Sequence, residues 1–251
     1  MKIGMLTSGG DCQSLNAAMR GVAKTLYNNT NDVEIYGFLD GYKGMITKNY
    51  KLMKEEDFSG ILTEGGTILG TSRTPFKYIN EPDEEGRDKV AGMIKTYKDL
   101  KLDCLVMLGG NGSHKTAALL SQKGLNVVTL PKTIDNDLCI TDHTPGYGSA
   151  AKYVASTLLE IGHDTSIYPI NSVTIVEIMG RDAGWLTGAS VLARNKYNHA
   201  PHLIYLPEVA FDEAQFIEDV KEAIKKYNNV VIAVSEGIKL SLIHISEPTR
   251  Q

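Results

Sequence analysis

The chain has 251 residues, a formal net charge of −4, 42% hydrophobic and 22% charged residues. This allows one large or two small domains of ordinary soluble composition, and the absence of any basic cluster argues against a nucleic-acid partner. Cys12, Cys104 and Cys139 show no metal-ligand spacing and an odd count, which points to a reduced cytoplasmic setting; no signal-peptide pattern opens the chain, and no apolar run reaches the ~18–20 residues that span a bilayer.

Strands and helices are expected to alternate. Ile3–Thr7 reads as a buried strand and Asn16–Tyr27 as a helix, with Leu15, Met19, Val22 and Leu26 at helical spacing. Val33–Leu39 is a second strand, ending at Asp40-Gly41. Asp83–Leu100 reads as a charged amphipathic helix with Val90, Ile94 and Tyr97 inward. Cys104–Leu108 and Val127–Leu130 are expected strands flanking a helix over Ser113–Lys123, which Ser113 is placed to cap. A second series follows: helix 146–163, strand 173–178, helix 182–194, strand 203–206, helix 212–227 and strand 230–234. Asp212 and Gln215 have the spacing of a capping box for the last helix. Strands separated by helices imply right-handed βαβ units. The expected fold class is therefore α/β, with two Rossmann-like three-layer domains and mainly parallel sheets. The expected domains are 1–144 and 145–239, divided near Thr144-Pro145.

Several loops lie where expected strands end, the place where open α/β sheets bind ligands. Gly9-Gly10 follow the first strand and precede a helix, so backbone N–H groups have room to approach a phosphate; a tight turn is the plain alternative. Gly109–Ser113 repeats the arrangement. Neither is a Walker A loop, because the Gly-Lys-Ser/Thr ending is absent. Pro131–Asp137 reads Pro-Lys-Thr-Ile-Asp-Asn-Asp after an apolar run. One Asp there suits a general base and the other a metal ligand, a division that phosphoryl transfer uses.

These segments, with Ser8-Gly9-Gly10-Asp11, Gly65-Gly66-Thr67 before Arg73, Met179-Gly180-Arg181 and Ser235-Glu236-Gly237, resemble the phosphofructokinase family in their order over Met1–Lys239. The resemblance implies ATP-dependent phosphorylation of fructose 6-phosphate at C1 with Mg²⁺, a glycolytic reaction. By matching motif, Asp135 is the base, with Arg73 and Lys132 as catalytic partners. Gly9, Gly10, Arg73, Thr74, Gly110, Asn111, Gly112 and Ser113 hold the donor. Thr133, Ile134, Asp135, Met179, Gly180, Arg181 and Glu236 hold the sugar phosphate, with Glu236 on its hydroxyls. The metal falls to Asn111 and Asp137. The family often has Asp at Asn111, so Asp137 is expected to carry more of the metal, through water. Asp11 is equally readable as structural or functional.

Donor choice turns on Gly112 and Lys132. Pyrophosphate-using relatives usually have Asp at the first position and Lys at the second. Gly112 leaves room for ATP and Lys132 suits pyrophosphate, so ATP is favoured and pyrophosphate is the alternative. A non-catalytic nucleotide or sugar-phosphate binding subunit is the alternative of another class; two retained aspartates argue against it. Tyr168-Pro169-Ile170-Asn171 replaces an Arg common before the Val173 strand, which weakens a cross-subunit sugar contact. Arg20 and Lys24 lie where allosteric relatives hold effector phosphates, though two cations one turn apart also make a solvated face. The full-length protein is expected to be a homo-oligomer, tetramer or dimer, without membrane partners. Leu240–Arg250 reads as the in-frame translation of a transposase adapter, with a divergent natural tail as alternative. Residues 240–251 are thus expected to be non-native, His244 carries no weight, and the chain is expected to be a fragment with an incomplete sugar site and little activity.

Overall fold

The computed structural model describes residues 1–239. The tail read above as foreign, 240–251, lies outside the described residues. The chain divides into two compact units, the first being Met1–Thr133 and the second starting at Ile134. The division thus falls eleven positions before the expected Thr144-Pro145 boundary.

The first unit holds a sheet of five strands: β1 (Lys2–Ser8), β2 (Glu34–Phe38), β3 (Tyr50–Met53), β4 (Cys104–Gly109) and β5 (Val127–Pro131), in the order β3-β2-β1-β4-β5. All pairings are parallel except β2 with β3, which is antiparallel. Its helices are α1 (Leu15–Asn29), α2 (Tyr42–Thr47), α3 (Lys89–Asp99) and α4 (Asn111–Gln122). Leu6, Tyr36, Phe38, Leu105 and Met107 share one sheet face and pack with Tyr42, Met45, Met93, Ala117 and Leu120. Strand alternation turns Met5, Ile35 and Val106 to the opposite face, where they are also buried. Burial of both faces explains why these strands read as unbroken apolar runs.

The second unit has three parallel strands, β6 (Ser172–Ile178), β7 (Leu203–Tyr205) and β8 (Asn229–Ser235), ordered β6-β8-β7. Its helices are α5 (Tyr147–Ser166), α6 (Trp185–Ala189) and α7 (Glu213–Tyr227). Val231 and Ala233 of β8 pack toward Ala150, Leu158 and Leu186, and Val230, Ile232 and Val234 toward Ala223 and the half-buried Phe216, Val220 and Ile224. The central strand is therefore covered on both faces, giving three layers here too.

Four expected features differ. The helix expected from Asp83 starts at Lys89. Asp83 instead accepts from the N–H of Glu85 (3.0 Å) and of Arg87 (2.9 Å) and closes a charged turn, after which Asp88 caps α3 through Ala91 N (2.9 Å). Ser113 does not cap α4: Gly110 holds that position and Ser113 is buried in the first turn. The helix expected over 182–194 is α6 followed by a 3₁₀ turn, Ser190–Ala193. At α7, Asp212 accepts from Gln215 N (3.0 Å) while the Gln215 side chain turns to Asp219 (2.7 Å), so half of the capping box forms.

Candidate active site

In the first unit the sheet register sets the geometry. Ser8 pairs with Gly109 and Gly109 with Pro131, so the loops after β1, β4 and β5 leave the sheet side by side. Gly9 has φ +93°, a conformation that favours glycine. Its N–H donates to Ser72 O (3.3 Å) and its carbonyl accepts from Thr71 Oγ1 (2.8 Å). Lys132 Nζ donates to the Gly10 carbonyl at 2.5 Å. A methyl group placed on Gly10 would lie 3.8 Å from Arg73 Nη2 and 4.0 Å from Lys132 Nζ. Gly9, Gly10, Arg73 and Lys132 are thus brought together, two cations against one glycine turn. Thr74 and Thr133 are half-buried beside them in sequence.

The second glycine loop runs into α4. A side chain on Gly109 would overlap Ser113, so glycine is required for this close approach. Asn111 and Gly112 are exposed in the first turn, and nothing lies within 4 Å of where a Gly112 side chain would start. Helix N–H groups without intrahelical partners face outward there and favour an anion. Tyr42 fixes this turn by donating its hydroxyl to Ser113 O at 2.9 Å. Burial pushes the Tyr42 phenol far above its ordinary pKa, so it stays a donor.

Residues outside the motifs hold this unit's loops. Asn16, 1% exposed, donates to Glu64 O (3.1 Å) and Gly65 O (3.3 Å) and accepts from Ile68 N (2.8 Å). Thr7 Oγ1 bonds Thr67 Oγ1 (2.9 Å) and Gly70 O (2.7 Å). The Gly65–Thr67 motif is therefore anchored from α1 and β1, and the anchor leads to Arg73. An amide on the buried stripe that begins with Leu15 and Met19 was the available signal.

In the second unit, Asp135 is 4% exposed. Its Oδ2 pairs with Arg181 Nε at 3.2 Å. Asn136, between the two aspartates, has φ +57° and ties its own loop, accepting from Thr144 N (2.9 Å) and donating to Asp142 O (3.2 Å). Asp137 is exposed, and so is the Met179 side chain. Ile134 packs on the core of this unit. Gly180 and Arg181 both have positive φ, +148° and +53°. Glu236 Oε1 accepts from their backbone N–H groups at 2.9 and 2.8 Å. The predicted sugar residues Asp135, Gly180, Arg181 and Glu236 are thus one connected cluster.

Among the described residues no three His, Cys, Asp or Glu side chains converge as a metal set. Asn111 and Asp137 belong to different units. Arg20 donates to Phe58 O (2.6 Å) and, with Lys24, lines a cleft of about 540 Å³ shared with Tyr27, Glu55, Glu56 and Ser59. Opposite charges meet there, so it is no simple anion site. None of the described helices is long and apolar enough to cross a membrane.

A parallel-sheet α/β protein with glycine turns at its strand ends belongs to the class that receives phosphate-bearing ligands at those ends. More narrowly, the chain belongs to the phosphofructokinase family, whose family model matches residues 2–249. It is 46% identical over 236 residues to "ATP-dependent 6-phosphofructokinase" of Spirochaeta thermophila, covering 92% of this chain and 62% of that protein. It is 38% identical to "ATP-dependent 6-phosphofructokinase 3" of Bacteroides thetaiotaomicron, covering 95% and 68%. A crystal structure of pyrophosphate-dependent phosphofructokinase from Nitrosospira multiformis superposes with a TM-score of 0.80 at 28% identity, covering 96% of this chain and 61% of that one. The chain therefore spans somewhat under two thirds of the Spirochaeta relative's length.

Proposed function

We propose that the protein carrying this chain phosphorylates fructose 6-phosphate at C1 with ATP. Asp135 takes the proton of the C1 hydroxyl as its oxygen bonds to the γ-phosphorus. The bond from that phosphorus to the β,γ-bridging oxygen breaks, and ADP leaves with the electron pair. Arg73 and Lys132 neutralise donor charge beside Gly9 and Gly10. The first turn of α4 gives backbone N–H groups to the donor through Gly110, Asn111, Gly112 and Ser113. Arg181, Gly180 and Met179 cradle the sugar phosphate, with Thr133 and Ile134 alongside Asp135. A buried carboxylate paired with a guanidinium supports an enzyme over a binding subunit, because a binder needs no base.

Mg²⁺ needs few protein ligands, all oxygen, and keeps several waters. Asp137 and Asn111 offer such oxygens, so the donor set is chemically suitable. Asn111 stands at the positive end of α4, which favours phosphate over a cation, so Asp137 takes the larger share. When bound, the ion neutralises the transferring phosphates. We read a cytoplasmic site of action from the odd count and the spacing of Cys12, Cys104 and Cys139 in the sequence.

The single observation behind ATP is the open space at Gly112, where a longer donor has room. The two curated relatives described above are named for ATP use. Lys132 beside Gly10 supports pyrophosphate as the second reading. A coupled assay with each donor in turn separates them: ATP is expected to support at least tenfold higher kcat/KM, and the reverse ratio would overturn the ATP assignment.

A further inference from the structure

Ile178 and Ser235 are register partners at the carboxyl ends of β6 and β8, so the Met179–Arg181 and Glu236–Gly237 turns leave the sheet side by side. Four links join them. Glu236 N donates to Ile178 O at 2.9 Å. Glu236 Oε1 accepts from Gly180 N (2.9 Å) and Arg181 N (2.8 Å). Any side chain on Gly237 would overlap the Arg181 carbonyl. Lys239 Nζ pairs with Asp182 Oδ1 at 2.7 Å.

The N–H groups of Gly180 and Arg181 converge on one oxygen, as successive N–H groups of a turn do when they form a small anion-binding concavity, and Arg181 there has φ +53°. Such backbone is sparsely populated for an arginine, so something must hold it. We infer that Glu236 is a positioning residue: its carboxylate fills this concavity from within the chain, fixes the left-handed Arg181, and thereby aims the guanidinium at Asp135. This goes beyond a contact with sugar hydroxyls, although its catalytic meaning rests on the sugar-cradle role given above to Met179–Arg181.

Amide hydrogen exchange by NMR on the 1–251 chain, without substrate, tests this. In Glu236→Ala, exchange at Gly180 and Arg181 is expected to quicken ~10–100-fold, as loss of charge-assisted bonds implies. The Arg181 Nε–H signal should shift, while Val231–Val234 in β8 keep their protection. Glu236→Gln offers an oxygen of the same shape to both N–H groups, and should restore protection to within about threefold of the parent. In the kinase assay of the parent protein, kcat should fall in Glu236→Ala and recover in Glu236→Gln. Unchanged exchange in Glu236→Ala would overturn the clamp. So would equal loss in both variants, or a raised sugar-phosphate KM in both with kcat untouched, the pattern of a plain hydroxyl ligand. Exchange needs no turnover, so a clamp seen in a protein without kinase activity would sink the proposed reaction and leave the clamp standing.

Discussion

Arg181 and Asp135 are paired across a steep gradient of exposure. Nε lies 3.2 Å from Oδ2, yet the arginine side chain is 65% exposed and the aspartate side chain 6%. One partner faces solvent and potential ligands while the other stays sheltered. The guanidinium thus stays open to solvent above a carboxylate that is sheltered beneath it.

Asp135→Asn keeps that geometry, since an amide oxygen still accepts from Arg181, but it removes the base. General-base catalysis contributes ~10²–10⁴-fold, so kcat is expected to fall by that range with sugar-phosphate KM changed only a few-fold. Thermal unfolding of the variant checks that folding is preserved. A kcat loss below about tenfold, with chemistry rate-limiting, would remove Asp135 from the base role.

Gly112→Asp puts a carboxylate into the open space at the first turn of α4. An acidic residue there is favourable to the helix by ~0.3–1 kcal/mol, so the fold should be kept or slightly stabilised. ATP use should fall while pyrophosphate use is spared or raised, because the new charge meets the part of the nucleotide that pyrophosphate lacks. Unchanged ATP kinetics in a folded variant would contradict the donor assignment.

Asn16→Leu tests the anchor of the Arg73 loop. It deletes three bonds and leaves Glu64 O, Gly65 O and Ile68 N without Asn16. Glu64 and Gly65 are exposed, so their carbonyls turn to water; the half-buried Ile68 N–H, deprived of its partner, costs ~1–3 kcal/mol, and a loss of that size is expected, with faster exchange at the Ile68 amide. Donor KM should rise with it. Stability within about 0.5 kcal/mol of the parent would show that the loop is held from elsewhere.

What the sequence made legible followed burial. β4 and β8 are covered on both faces, and their unbroken apolar runs announced them. β3 is a four-residue edge strand, Tyr50–Met53, too short for alternation to register. The charges of Asp83–Arg87 resemble a helical first turn, and only their mutual hydrogen bonds reveal a closed loop. Motif order singled out Asp135, Arg181 and Glu236 as candidates, but not the contacts that connect them. Glu236 reaches main-chain N–H groups 56 and 55 positions away. No side-chain pattern encodes that; it follows from the parallel register of β6 with β8.

His202 supplies a pH test of the second unit. Its pKa is lowered, first by burial, which penalises the imidazolium, and further by His199 and Arg194 nearby. Its Nδ1 accepts from Val231 N at 2.9 Å, a bond that needs the neutral ring nitrogen. The unfolded chain therefore binds a proton at His202 more readily than the folded one, and stability rises with pH across that interval. The contribution is fully present above the unfolded value of about 6.5 and is lost as pH falls through the lower folded value. Melting temperature should thus drop between about pH 7.5 and pH 5.5, before most carboxylates titrate. His202→Asn keeps an acceptor for Val231 N–H but cannot titrate, so its melting temperature should be flatter over the same interval. Parallel curves for the two proteins would show that His202 is not the group that couples this strand pair to pH.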